Sequence, residues 1–254
     1  MSSWWGDPAL PPEAGRAFTS LQAVFALEGE LIARSPLSSV LRVTLDGRRY
    51  YVKRYVGDRG NPLRNWFGLR SRLLKPPVQK EWENLQAFQG WGIPTARLVA
   101  YGQERSGGRF VRGALITEEL ADTVDMAQMA REGDPRLKDG GWVAAVSRQL
   151  AQATRAMHAA GFAHNDLKWR NLLIDRNDPP HLYFIDCPAG SYWWGPFLAY
   201  RKIKDLACLD KVAKYQLSRP QRLRFYLDYV QRRRLTAADR KVVGKVLKFF
   251  AGRE

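Results

Sequence analysis

Two carboxylates, an amide and a lysine stand at short, fixed intervals within residues 162–190, FAHNDLKWRNLLIDRNDPPHLYFIDCPAG. Asp166 precedes Lys168 by two residues and Asn171 by five, and Asp186 follows two apolar runs. An aspartate on such a loop can orient a hydroxyl nucleophile while an asparagine amide oxygen five residues on reaches a divalent cation. Magnesium takes hard oxygen ligands and only one or two protein carboxylates, with phosphates and water completing its shell, so Asn171 and Asp186 suffice as its protein ligands. A cation two residues from the aspartate fits a group that stabilises charge on a phosphoryl group in transfer. The chemistry these residues predict is phosphoryl transfer.

Such a constellation needs elements to carry it. Leu172-Leu173-Ile174 and Leu182-Tyr183-Phe184-Ile185 predict two short buried strands joined by the polar turn at residues 177–180, a hairpin that returns Asp186 to Asn171. Residues 140–161 predict a long helix, with Val143, Val146, Leu150 and Met157 on one face and Gly161 as its stop. It delivers the chain to the Asp166 loop, and His158 reads as a residue of its surface. Residues 40–55 predict a β-hairpin, because Asp46-Gly47 supplies a positive-φ turn between β-branched and aromatic runs. On its second strand Lys53 and Arg54 must face opposite sides. Residues 78–90 predict a helix after Pro76-Pro77, striped by Trp82, Leu85 and Phe88, with Glu81 beside the stripe and Glu83 nearly opposite Glu81. Residues 97–101 and 113–120 read as strands flanking a Ser-Gly-Gly turn.

The run His164-Asn165-Asp166-Leu167-Lys168-Trp169-Arg170-Asn171 resembles the catalytic loop of protein-kinase-like enzymes, and Asp186-Cys187-Pro188 stands where their Asp-Phe-Gly stands. Within that superfamily the chain is most similar to the bacterial lipopolysaccharide core kinases, over roughly residues 37–209. Shared features are short length, the lack of a glycine-rich signature and the late Lys204-Asp205-Leu206-Ala207 segment. The resemblance implies an α+β, protein-kinase-like bilobal fold, with an N-terminal antiparallel sheet and one main helix over residues 19–118 and a mainly helical lobe over 119–254. It implies ATP and Mg2+ as cofactors and an inner-core sugar, heptose or Kdo, as acceptor. Lys53, held by Glu81 with Glu83 in reserve, would contact the ATP phosphates, and the backbone of the connector Glu118-Glu119-Leu120 would bond adenine through Glu118 and Leu120. Asp166 would position or deprotonate the acceptor hydroxyl, Lys168 would support the transferred group, and Asn171 and Asp186 would hold the metal. His164 would brace the loop, and Asp205 would anchor its backbone.

Two other readings share the scaffold: an aminoglycoside- or protein-directed kinase, and a non-catalytic binding module. The intact Asp166, Asn171 and Asp186 disfavour the module. Ser191-Tyr192-Trp193-Trp194-Gly195-Pro196-Phe197 replaces the activation segment of protein kinases, which argues against a protein docking there. Trp193 and Trp194 either pack in a core or stack on sugar rings.

The chain of 254 residues is 45% hydrophobic, enough for one substantial or two small cores. No apolar run is long enough to span a bilayer and the N-terminus does not read as a signal peptide, so a cytoplasmic location is expected. Cys187 and Cys208 form no metal or disulfide pattern and read as small buried apolar residues. The net charge of +16 attracts anions: nucleic acid, an anionic membrane surface or a phosphorylated glycolipid. No nucleic-acid motif accompanies it. The expected partner is an anionic glycolipid, with peripheral contact to the inner membrane through the basic loop at residues 58–75, which carries Trp66 and Phe67, and the basic helices after residue 221. Oligomeric state is left open. Residues 1–18, rich in Pro, Gly and Ala, predict a flexible tail.

Overall fold

The computed structural model describes residues 2–57 and 75–252, so most of the predicted basic loop, including Trp66 and Phe67, lies outside the described residues. The chain divides into two compact units, Met1–Leu85 with Ala96–Leu120, and Gln86–Thr95 with Ala121–Glu254.

The first unit is an antiparallel sheet of β1 (Ser2–Gly6), β2 (Glu30–Ser35), β3 (Ser38–Leu45), β4 (Arg48–Val56), β5 (Leu98–Ser106) and β6 (Arg109–Glu118), in the order β1-β5-β6-β4-β3-β2. Asp46 and Gly47 both take positive φ, which closes the predicted β3–β4 hairpin. Alternation on β4 then assigns the faces. Tyr50 and Val52 join the core under the short helices Pro12–Ala17 and Leu21–Ala26, together with Phe18, Leu21, Val24 and Ile116. Arg54 points the same way, and its guanidinium donates to the carbonyls of Val24, at 2.7 Å, and Leu27. Lys53 and Tyr55 point to the other face, where Glu81 lies on the helix Pro77–Gly90.

Of the expected flexible tail at residues 1–18, residues 2–18 are held against the sheet. β1 pairs with β5 from Ser2↔Glu104 to Gly6↔Ala100, the Trp4 indole N–H donates to the Phe18 carbonyl at 2.8 Å, and Trp5 meets Trp82, which stacks on Tyr101. Asp46 accepts the N–H groups of Glu13 and Ala14 at 2.9 Å, and Glu13 accepts the Asp46 N–H at 2.8 Å. The two indoles, the β1–β5 ladder and the packing of Leu10, Ala14 and Phe18 on the core together oppose the entropy of ordering this Pro- and Gly-rich segment.

The second unit is mainly helical: Met126–Glu132, Gly140–Ala159, Gly195–Gln216, Arg219–Val230 and Ala237–Lys248. The predicted hairpin forms from β7 (Leu172–Ile174) and β8 (Leu182–Phe184). Its turn is tied by Asp175, whose carboxylate accepts the backbone N–H of His181 at 2.8 Å and the Asn177 amide at 2.7 Å. Gln149 of the long helix accepts the Leu182 N–H and donates to the Pro180 carbonyl, fastening the hairpin to the helix. Gly161 follows that helix at φ +75, as a C-terminal stop requires.

Candidate active site

The loop bearing Asp166 is built outward from a buried carboxylate. Asp205, on the helix Gly195–Gln216, is fully buried and accepts the backbone N–H groups of His164 and Asn165, each at 2.8 Å. The next residue back, Lys204, donates to the Asn165 carbonyl at 2.8 Å. Asn165 itself sits at φ +65, a conformation asparagine tolerates better than most residues, and its amide donates to the carbonyl of Ala189 at 2.9 Å. One helix turn therefore fixes the backbone that precedes Asp166.

Inside the loop, the Lys168 N–H donates to the Asp166 carbonyl at 2.9 Å and the Asn171 amide donates to that same carbonyl at 2.8 Å. With its NH2 group turned toward Asp166, Asn171 has a hard amide oxygen to offer a cation. The Asp186 end is set by the hairpin register: Leu172 faces Phe184, and the Ile185 N–H donates to the Asn171 carbonyl at 3.0 Å. Asp186 is thereby the residue after one bonded to Asn171, at φ +58. The donor set is two hard oxygens from adjacent segments and suits Mg2+ shared with phosphates.

Lys168 approaches the Asp166 carboxylate at 2.5 Å and Arg170 at 3.2 Å. Partial burial pushes this carboxyl up, but the two cations outweigh it and hold it below the usual aspartate range. His164 is wholly buried, which lowers its pKa and keeps the imidazole neutral. Its ring nitrogens have no hydrogen-bond partner among the described residues, and the ring lies 6.0 Å from that of Phe88. The bonds that brace the loop at this residue come from its backbone.

In the first unit Lys53 Nζ lies 3.0 Å from Glu81 Oε1, while Glu83 pairs with Lys75 at 2.7 Å and takes no part there. Tyr55, which the sequence reading passed over, also donates its hydroxyl to Glu81. Two-residue alternation from Lys53 would have found it. At the connector, the Glu118 N–H is spent on the Arg97 carbonyl and the Glu119 N–H on that of Arg49, and the Glu118 side chain joins Arg48 and Arg97. Leu120 closes the first unit.

His158 is the clearest departure from the sequence reading. It is buried, with Nε2 3.3 Å from Asp205 and Nδ1 2.8 Å from the Tyr229 hydroxyl. Its helix buries Ala151, Thr154 and His158 as well as the predicted stripe, because the helix Arg219–Val230 covers that side.

The profile of the lipopolysaccharide kinase (Kdo/WaaP) family matches residues 20–229. The chain belongs to that family. Among its relatives, the lipopolysaccharide core heptose(I) kinase WaaP of Pseudomonas aeruginosa is 31% identical over 227 residues, covering 83% of this chain and 80% of the relative. The Escherichia coli WaaP is 25% identical over 57% of this chain and 54% of its own, and the vaccinia virus B1 kinase 27% identical over 62% and 50%. A solved structure of WaaP in complex with acyl carrier protein matches with a TM-score of 0.68 at 27% identity, over 91% of this chain and 90% of that one. The expected fold and the expected lipopolysaccharide core kinase, a phosphotransferase, both stand on these likenesses.

Proposed function

We propose that the protein transfers the γ-phosphoryl group of ATP to a hydroxyl of an inner-core heptose of lipopolysaccharide, with Kdo as the other candidate sugar. The observation that carries this reading is the Asp205-anchored loop, which gathers Asp166, Lys168 and Asn171 on one turn and receives Asp186 from the hairpin. Asp166 orients the acceptor hydroxyl and takes its proton as the new ester bond forms. Lys168 leaves Asp166 for the transferring group, where charge grows. Lys53, steadied by Glu81 and Tyr55, holds the nucleotide phosphates, and the connector backbone at Glu118 and Leu120 receives adenine. Asn171 and Asp186 would hold Mg2+, whose positive charge would offset that of the nucleotide phosphates.

Purified protein should phosphorylate a core glycolipid faster than a generic protein acceptor in a side-by-side assay. Asp166→Ala should cut the glycolipid rate by about a hundredfold or more, as loss of a positioned base does. Faster labelling of protein would remove the glycolipid assignment, and full turnover by folded Asp166→Ala would remove the site.

Among the described residues no helix is long and apolar enough to cross a membrane, and a glycolipid acceptor with a +16 protein supports peripheral contact with the inner membrane. A second partner is supported by a cavity of about 560 Å3 in the helical unit, lined by Val143, Val146, Leu150, Leu206, Leu209 and Phe225 among others. Its apolar walls suit a fatty acyl chain, and the solved relative's complex with acyl carrier protein names a carrier for one.

A further inference from the structure

Residues 192–200, Tyr-Trp-Trp-Gly-Pro-Phe-Leu-Ala-Tyr, contain no charged side chain, yet most of them face outward. Tyr192 is 59% exposed, Trp194 77%, Phe197 65% and Tyr200 51%. Trp194 is the N-cap of the helix Gly195–Gln216, and Phe197 and Tyr200 follow at three-residue steps, so the three rings share one side of its first turns. Trp193 is used otherwise: its backbone N–H donates to the Gly161 carbonyl at 2.8 Å, and the Arg201 guanidinium lies 4.4 Å from its ring. Four outward aromatics in nine residues form the kind of surface that a soluble protein keeps for a contact.

Charge decides what the contact is with. Tyr200 touches Phe249, 5.7 Å away, at the end of the helix Ala237–Lys248, whose Arg240, Lys241, Lys245 and Lys248 are exposed. Among the described residues the acids of this part of the chain are already engaged: Asp205 lies buried under the Asp166 loop, Asp210 pairs with Arg222 at 2.7 Å, Asp228 with Arg224 at 3.1 Å and Asp239 with Arg232 at 2.6 Å. An uncharged aromatic surface beside uncompensated cations matches the two layers of an anionic bilayer surface, where amphipathic rings settle at head-group depth and cations meet the phosphates.

We propose that residues 192–200 seat the helical unit on an anionic membrane, Trp194, Phe197 and Tyr200 entering the interface while Arg201 and the cations of the helix Ala237–Lys248 face the head groups. The inference rests on the reading of a lipid-anchored acceptor, and it gives the stretch that replaces a peptide-docking segment a task suited to one.

The test is co-sedimentation of the full chain with vesicles of phosphatidylcholine alone and of phosphatidylcholine mixed with phosphatidylglycerol. The protein should bind the anionic vesicles and leave them as salt rises. Phe197→Glu, at an exposed position that leaves the melting temperature unchanged, should lower that binding by about tenfold or more, and Phe197→Trp should retain it. With a delipidated core oligosaccharide as acceptor Phe197→Glu should match wild type, while its rate on vesicle-embedded glycolipid falls. Equal vesicle binding by Phe197→Glu and wild type overturns the proposal, as does absence of wild-type binding to anionic vesicles. A parallel loss on the soluble oligosaccharide also overturns it, making the stretch a sugar subsite. If vesicle binding responds as expected while neither acceptor is phosphorylated by wild type, the membrane surface stands and the kinase assignment fails.

Discussion

The carboxylate of Asp166 meets Lys168 at 2.5 Å and Arg170 at 3.2 Å, and cations at that range make proton uptake costly. It is therefore ionised at neutral pH, the form in which the proposed role has it accept a hydrogen bond from an acceptor hydroxyl. The pH dependence has a definite sign. In the proposed role the group works deprotonated, and in the free enzyme its pKa is depressed, so the acid limb of kcat/KM should lie below the usual aspartate value of about 3.9. Lys168→Met removes the principal lowering contact, lets the pKa rise and should carry the limb to higher pH, with kcat falling by roughly tenfold to a thousandfold from the lost charge on the transferring group. A limb that stays put while kcat falls would mean that Lys168 serves the phosphoryl group alone. His164 is wholly buried, and that burial lowers its pKa and holds the imidazole neutral. Asp166 and Asn171 on one turn rest on short-range spacing, which a sequence displays openly, whereas Lys53 beside Glu81 rests on the family resemblance, with strand alternation and the helix stripe narrowing the choice.

Elements were legible in proportion to how local their cause is. The β3–β4 hairpin follows from Asp46-Gly47, the β7–β8 hairpin from two apolar runs, and the long helix from its stripe and Gly161. β2 gave no signal, because all six of its residues are exposed and no alternation marks them. β1 was read as a tail because its partner β5 lies about a hundred residues away, and no local pattern announces such a pairing. One residue does record it. Gly102 opposes Trp4, and a Cβ there would run into the Trp4 ring and lie 2.5 Å from the Ser3 carbonyl. Gly102→Ala should thus cost about 1–3 kcal/mol, as overpacking does, with greater solvent exposure of the N-terminal indoles. Chemical denaturation and tryptophan emission would measure it, and an unchanged midpoint would show that β1 adds little to stability. His158 escaped for a related reason: a helix's second buried face is dictated by whatever packs on it, here a helix sixty residues later.

At the scale of the molecule, ligands that bind only the folded chain should raise its melting temperature by mass action. Mg-ATP should do so, and Asp186→Ala should lose the metal-dependent part of the shift; an equal shift in the variant would remove Asp186 from the metal site. Acyl carrier protein loaded with a long acyl chain should also stabilise the protein while the unloaded form does not, and a shift from both alike would leave the apolar cavity of the helical unit without that occupant. The same unit sets a limit on trimming. Tyr229 reaches His158, His158 reaches Asp205, and Asp205 holds the backbone ahead of Asp166. A gene cut back from its 3′ end can give up the helix Ala237–Lys248 and keep that relay intact. Cut one helix further, it strands a buried imidazole and slackens the turn on which Asp166 stands, so a shortened enzyme would fail at its reaction centre before its sheet noticed the loss.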